Sequence, residues 1–276
     1  MIVVTGATGA LGRLVLSGLP AADTVGLVRD PAKAADLGVA TRVGSYDDPA
    51  SLAGAFDGAD KVLFISGSEV GKRVDQHRAV VDAAKAAGVP HLVYTSVLHA
   101  DTSPLSLAAE HKATEQMIRE SGIPFTFLRN SWYTEMYDPT FQQAAATGSF
   151  ARSGGQGTLA TAARADYAEA AVAVLTSAGH ENKVYELAGD VAWSYFDLAA
   201  ALTDVVGKPI AYQDLTPAGH RQALTDAGLP PHVVDLLVEI DQSLAQGALI
   251  DNSGDLSRLI GHPTTSLASS IAAALR

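Results

Sequence analysis

The sequence predicts an α/β protein built on a doubly wound parallel sheet, with a smaller, mainly helical C-terminal lobe. Three observations carry this. Short apolar runs alternate with helical stretches through the first half of the chain, the pattern of βαβ units. A glycine-rich turn, Gly6-Ala7-Thr8-Gly9-Ala10-Leu11-Gly12, links the first apolar run to the first helical stretch. After Arg129 the alternation breaks, and from Trp193 on helical patterns dominate.

The expected strands are Ile2–Thr5, Thr24–Val28, Ala40–Val43, Lys61–Ser66, His91–Ser96 and Phe125–Leu128. Between them lie Leu11–Leu19, Pro31–Asp36, Pro49–Phe56, Gln76–Ala87 and Ala108–Ser121 as crossover segments. Val80, Val81, Ala84 and Ala87 recur at helical spacing, and Gly88 and Pro90 then stop that helix. Tyr133–Gly157, aromatic and then glycine-rich, reads as an excursion off the sheet. Ala163–Ser177 and Lys183–Leu187 read as a helix and a strand returning to it, followed by helices at Tyr195–Val206, Pro217–Ala227, His232–Gln246 and Thr265–Leu275. The expected division is residues 1–130 as one domain, rejoined by 158–188, with 131–157 and 189–276 forming the smaller lobe.

Composition narrows the function. The chain has 276 residues, 47% of them hydrophobic and 18% charged, enough for a sizeable core. With no cysteine it can hold no disulfide, thiolate nucleophile, Cys-ligated zinc or iron–sulfur cluster, and no metal is expected. Nineteen Lys and Arg against 30 Asp and Glu give a net charge of −11, which repels nucleic acid. No apolar stretch reaches the roughly 18 to 20 residues of a membrane span. Met1-Ile2-Val3-Val4-Thr5 runs straight into Gly6 without a basic region or cleavage site, so a cytoplasmic address is expected.

The glycine turn carries the strongest chemical signal. Glycines permit a tight turn and let backbone approach a pyrophosphate, which is met by the N–H groups and positive end of the following helix. Preceded by a strand and followed by a helix, the turn predicts a Rossmann-type dinucleotide site formed by Gly6, Thr8, Gly9, Ala10, Leu11 and Gly12. No Gly-Lys-Ser/Thr follows, which excludes a nucleotide triphosphatase loop. Past the second strand, Arg29 and Lys33 favour the 2′-phosphate of NADP; Asp30 keeps NAD in view, and an Arg29–Asp30 surface pair is the structural alternative. Asp47 after the third strand and Ser66-Gly67-Ser68 after the fourth lie where such sheets bind ligands.

The glycine turn also resembles the GxxGxxG loop of atypical and extended short-chain dehydrogenases/reductases. Val28-Arg29-Asp30-Pro31, Gly122-Ile123-Pro124-Phe125-Thr126-Phe127-Leu128-Arg129-Asn130, Arg164-Ala165-Asp166-Tyr167-Ala168 and Gly261-His262-Pro263 resemble the NmrA-like branch. Ile65–Gly71, Gln76-His77-Arg78, Tyr94–Leu105 and Val184–Asp190 are similar to its bacterial quinone-reducing members. The resemblance implies hydride transfer from NADPH to a small-molecule quinone without a flavin, with NAD(H) second to NADP(H), and it adds Thr95 and Asn130 to the cofactor residues.

One departure bears on mechanism. Short-chain reductases use a Tyr-x-x-x-Lys pair on the helix after the fifth strand; here Leu107 falls at the Tyr position and His111 at the Lys position. A quinone tolerates this loss, because hydride converts it to a stabilised hydroquinone anion that water can protonate. The protein then mainly positions the acceptor in a dry slot. His99, Trp132, Tyr133, Tyr137 and Arg164 are the expected substrate contacts, and His111 is the candidate catalytic proton donor, with a structural helix histidine as the alternative. Packing between lobes is the alternative for Trp132 and Tyr133, and an interlobe ion pair for Arg164 and Asp166. The rival function is a redox sensor of the same family that binds the dinucleotide and a protein partner without turnover. The sequence leaves a homo-oligomer open.

Overall fold

A computed structural model describes residues 1–276. The chain opens as β1 (Ile2–Val4), α1 (Ala10–Ser17), β2 (Thr24–Val28), β3 (Ala40–Val43) and β4 (Lys61–Phe64), and continues through α2 (Arg73–Ala86), β5 (Leu92–Val97), α3 (Ala108–Ser121) and β6 (Phe125–Asn130). Next come α4 (Asp138–Thr147), β7 (Ser149–Arg152), β8 (Thr158–Leu159), α5 (Arg164–Thr176) and β9 (Lys183–Leu187). The remainder is β10 (Trp193–Ser194), α6 (Tyr195–Val206), β11 (Ala211–Asp214), α7 (Pro217–Asp226), α8 (Pro231–Leu244), α9 (Asp255–Ile260) and α10 (Leu267–Ala274). No helix is long and apolar enough to cross a membrane.

The main sheet has seven strands in the order β3-β2-β1-β4-β5-β6-β9, and every neighbouring pair is parallel. Its strands are apolar on both faces because both faces are covered. Val4, Val28, Leu63, Val93 and Leu128 face one core with Val15 of α1 and Val174 of α5. Their strand neighbours Val3, Leu27, Val62, Leu92 and Phe127 face the other, with Val80 of α2 and Ile118 of α3. The chain order reverses between β1 and β4, and this switch point fixes where a crevice opens at the carboxyl ends.

Two crossover segments are shorter than the sequence predicts. Pro31–Ala34 and Pro49–Leu52 each form a single 3-10 turn, started by the carboxylates of Asp30 and Asp48, which accept the N–H of Ala32 and Ala50. The excursion at Tyr133–Gly157 contains α4 and β7, and β7 lies outside the main sheet. Its helix gathers Tyr137, Phe141 and Ala144 into a third core with Trp193, Tyr195, Leu198 and Ile240. That core also takes in Val97, Leu105 and Ala108, so it grows directly out of the ends of β5 and α3. Conversely, α9 leaves the helical lobe: Leu256 is fully buried in the α1–α5 core, and Asp255 accepts the N–H of Glu186 on β9 at 3.0 Å.

Candidate functional site

A cavity of about 1020 Å³ runs along the carboxyl ends of the central strands, from β2 across the switch point to β5 and β6. The glycine turn forms its floor. Gly6 has φ of +59°, and its carbonyl accepts the Gly9 N–H at 2.9 Å. A Cβ on Gly12 would stand 2.3 Å from that same carbonyl, so α1 can approach β1 this closely only with glycine there. The first N–H of α1 with a backbone acceptor is that of Arg13, on Gly9. The N–H groups of Ala10, Leu11 and Gly12 thus remain at the cavity end of the helix, a cradle for a phosphate.

At the β2 end stand Arg29 and Lys33, exposed cations on the cavity rim. The expected alternative, an Arg29–Asp30 pair, does not form: the Asp30 carboxylate is occupied in capping the turn at Ala32, 3.0 Å away. Arg13 draws the same segment against the glycine turn, bonding Asp36 and the Lys33 carbonyl at 2.8 Å each and the Thr8 carbonyl at 3.2 Å. Asp47 accepts from Gln76 at 2.9 Å, and the backbone N–H of Ser66 donates to Thr95 Oγ1 at 2.9 Å, tying the ends of β4 and β5 together.

The far end is made by β5, α3 and the segment after β6. Asn130 is buried, gives its amide N–H to the Tyr133 hydroxyl at 3.2 Å and leaves its carbonyl oxygen without a partner. Burial raises the Tyr133 hydroxyl pKa, and the Arg164 guanidinium lies 5.2 Å over the Tyr133 ring. Trp132 and Tyr133 line the cavity while also packing against the lobe core and the α1–α5 core respectively. Arg164 and Asp166 do not pair: Asp166 instead accepts from the N–H and hydroxyl of Thr265 at 2.9 and 2.8 Å, pinning the segment before α10.

His111, in the first turn of α3, is nearly buried and reaches the same end. Burial first, and then the neighbouring Arg73 cation, push its pKa down to about 3, so the imidazole is neutral at physiological pH. It therefore carries no proton to spare as an acid, which redefines the donor expected from the sequence.

Two expected substrate contacts lie elsewhere. His99 takes a left-handed φ of 53°, which turns it away from the cavity. Its N–H donates to Glu186 at 2.9 Å and its Nε2 sits 3.0 Å from the Ile250 carbonyl. Glu186 also holds Arg129 at 2.7 Å, beside the two oxygens of Glu115, so His99 sits at the half-buried edge of an ionic network centred on Arg129. Tyr137 is only 2% exposed; the 3-10 turn at Thr134–Tyr137 swings it inward against Trp193 and the Tyr195 hydroxyl, 3.3 Å away.

Several lining residues lie outside the site residues expected from the sequence. Arg73, Gln76 and Glu69 enter from the start of α2 and the loop before it, Tyr46 from beyond β3, and Met136 and Leu236 form an apolar wall from after β6 and from α8. Leu236 reaches the cavity because α8 is tied down by Glu239, which accepts from the N–H and hydroxyl of Ser106.

A parallel sheet with a phosphate cradle at its switch point and an elongated, partly apolar slot beside it defines a Rossmann-type dinucleotide-binding protein. The chain belongs to the NmrA-like family, whose model matches residues 1–259. Quinone oxidoreductase 2 of Escherichia coli (strain K12) is 51% identical over 278 residues, covering 98% of this chain and 97% of that protein. An NAD(P)H azoreductase of Xenophilus azovorans is 34% identical, covering 87% and 86% respectively. Among solved structures, the E. coli NADPH-dependent quinone oxidoreductase complexed with NADPH superposes with a TM-score of 0.97 at 50% identity over all of both chains. The Citrobacter sp. triphenylmethane reductase complexed with NADP(H) gives 0.96 at 38% identity, again over all of both chains.

Proposed function

We propose that this protein is an NADPH-dependent quinone oxidoreductase. The observation that carries the proposal is the continuous slot with two unlike ends, seen alongside 51% identity to a quinone oxidoreductase over nearly the whole chain. The fit to NADP(H) rests on the chain's own groups: the free N–H groups of α1, the exposed pair Arg29 and Lys33, and the unpartnered buried carbonyl of Asn130 where a carboxamide N–H would satisfy it. When bound, the reduced nicotinamide supplies the hydride.

The protein's own contribution is positional. The glycine cradle would hold the pyrophosphate, and the two cations would hold the 2′-phosphate by charge-assisted bonds. Thr95, Asn130 and Tyr133 would hold the nicotinamide, and Trp132, Met136, Leu107 and Leu236 line an apolar space that suits a flat acceptor ring. Arg164, stacked on Tyr133, closes the slot at the start of α5. Residues of the smaller lobe, with Leu107 and Arg164 of the sheet domain, thus supply the acceptor side, and the sheet ends the dinucleotide side. No Tyr-x-x-x-Lys pair is needed, since the hydroquinone anion is a weak base compared with an alkoxide.

The test is steady-state oxidation of NADPH and of NADH by the flavin-free protein, with and without benzoquinone or menadione. Quinone-dependent turnover that prefers NADPH supports the proposal. Tight NADPH binding with no turnover on any quinone points to the sensor instead.

A further inference from the structure

The far end of the slot contains a side-chain pair with a defined proton arrangement. Tyr94, on β5, is fully buried between Phe64, His77 and Phe127, and its hydroxyl lies 2.8 Å from His111 Nδ1. Thr114 beside them is committed elsewhere: its hydroxyl donates to the Glu110 carbonyl and accepts from His77 Nδ1, both at 2.8 Å. His77 in turn accepts the Gly67 N–H on Nε2 at 2.9 Å, which fixes His77 as the Nδ1–H tautomer. His111 Nδ1 is the acceptor that meets the Tyr94 hydroxyl in hydrogen-bond geometry, so the phenol proton is assigned to that bond. Burial keeps that phenol protonated. With Nδ1 acting as acceptor, a neutral His111 carries its hydrogen on Nε2. No protein group meets Nε2, and it is not among the sealed polar atoms of the core. The residue lines the same slot as Asn130 and Trp132.

We propose that His111 acts as a neutral hydrogen-bond donor to the quinone carbonyl oxygen through Nε2–H, and that Tyr94 is the positioning residue that holds it in this tautomer. The inference rests on the quinone-reductase function proposed above. Hydride transfer oxidises NADPH to NADP⁺ and reduces the quinone to a hydroquinone monoanion, whose oxygen gains the negative charge. The Nε2–H bond strengthens as that charge develops, which lowers the barrier without the imidazole giving up its proton. Water then supplies the one proton that completes the hydroquinone. A neutral donor suits the site, because Arg73 already stands beside His111 and a second cation there would be repelled.

The experiment measures kcat for a series of quinones of graded reduction potential with the unmodified enzyme, His111→Ala, His111→Gln and Tyr94→Phe, together with NADPH affinity for each. A net hydrogen bond of this kind is worth about tenfold in rate. The expected result for His111→Ala is a loss of about that size on the least electrophilic quinones and little loss on benzoquinone, with NADPH affinity unchanged. His111→Gln, which keeps an N–H donor, should recover most of the loss. Tyr94→Phe removes one buried oxygen and frees the tautomer, so the same quinones should slow by a smaller factor. Equal rates for His111→Ala and the unmodified enzyme on every quinone, at unchanged NADPH affinity, would overturn the donor role. If His111→Ala does not fold, Tyr94→Phe decides, and an unaltered dependence on quinone potential overturns the proposal. Absence of turnover by the unmodified enzyme would instead refute the quinone-reductase function itself.

Discussion

Glu110 on α3 holds the guanidinium of Arg73 at 2.7 Å with one carboxylate oxygen and the Gly71 N–H at 2.8 Å with the other. Arg73 returns across the same loop to the Gly67 carbonyl at 2.9 Å. One nearly buried ion pair therefore straps the segment between β4 and α2, which carries Ser68, Glu69 and Val70 into the slot wall.

Glu110→Ala leaves Arg73 charged, buried and unpaired, so a loss of about 3 kcal/mol in folding stability is expected. Arg73→Ala should cost a similar amount, and the double variant less than the sum, because the stranded charge is then gone. Urea unfolding of the three variants measures this; strict additivity would show that the pair is uncoupled.

For Arg29→Ala the expected outcome is loss of most of the preference for NADPH over NADH, a change of about ten- to a hundredfold in relative affinity. Lys33→Ala should shift it in the same direction by less. Fluorescence titration of both cofactors against each variant gives the ratio directly, and an unchanged ratio would place the 2′-phosphate elsewhere.

The two glycine substitutions should part company. Gly12→Val puts a branched side chain on the Gly6 carbonyl, where even a Cβ would be 2.3 Å away, so the fold itself should suffer. At Gly9 the nearest contact of a Cβ is 3.1 Å, so Gly9→Val should stay folded by circular dichroism while losing dinucleotide binding. Wild-type NADPH affinity in Gly9→Val would contradict the cradle.

Stability should fall as the medium becomes acidic, and buried histidines give the sign. Burial depresses the pKa of His111 to about 3 and holds that of His77 lower still, against an ordinary value of 6.5 in the unfolded chain. Below pH 6.5 the unfolded state therefore binds protons that the folded state refuses, and stability is lost progressively toward pH 3. Each histidine contributes a slope of up to about 1.4 kcal/mol per pH unit. The unfolding midpoint should drop between pH 7.5 and 5, less steeply in His111→Gln; identical midpoints would contradict the burial of these imidazoles.

The glycine cradle, the cations after β2 and the strand ends were legible because each rests on local chemistry: a turn that needs glycine, a strand end that needs a polar reader. His99 and Tyr137 were misplaced for the same reason. Their positions just past β5 and β6 suited a contact, but a left-handed turn at His99 leads it to a half-buried bond with Glu186, and a 3-10 turn at Tyr137 swings it into the core beside Tyr195, both partners far along the chain. Leu236 and Arg73 were invisible for the converse reason. Nothing in their own segments marks them; they line the slot because Glu239 and Glu110 anchor those segments to α3 and the turn before it.

The central claim, direct hydride transfer from NADPH to a quinone held in this slot, is tested most directly by a single turnover. Flavin-free protein loaded with NADPH, or with NADPH deuterated at the transferring position, is mixed rapidly with benzoquinone. The predicted result is loss of the reduced-nicotinamide absorbance matched by an equal amount of hydroquinone, slower with the deuterated cofactor. Persistence of that absorbance in the presence of excess quinone would contradict the claim.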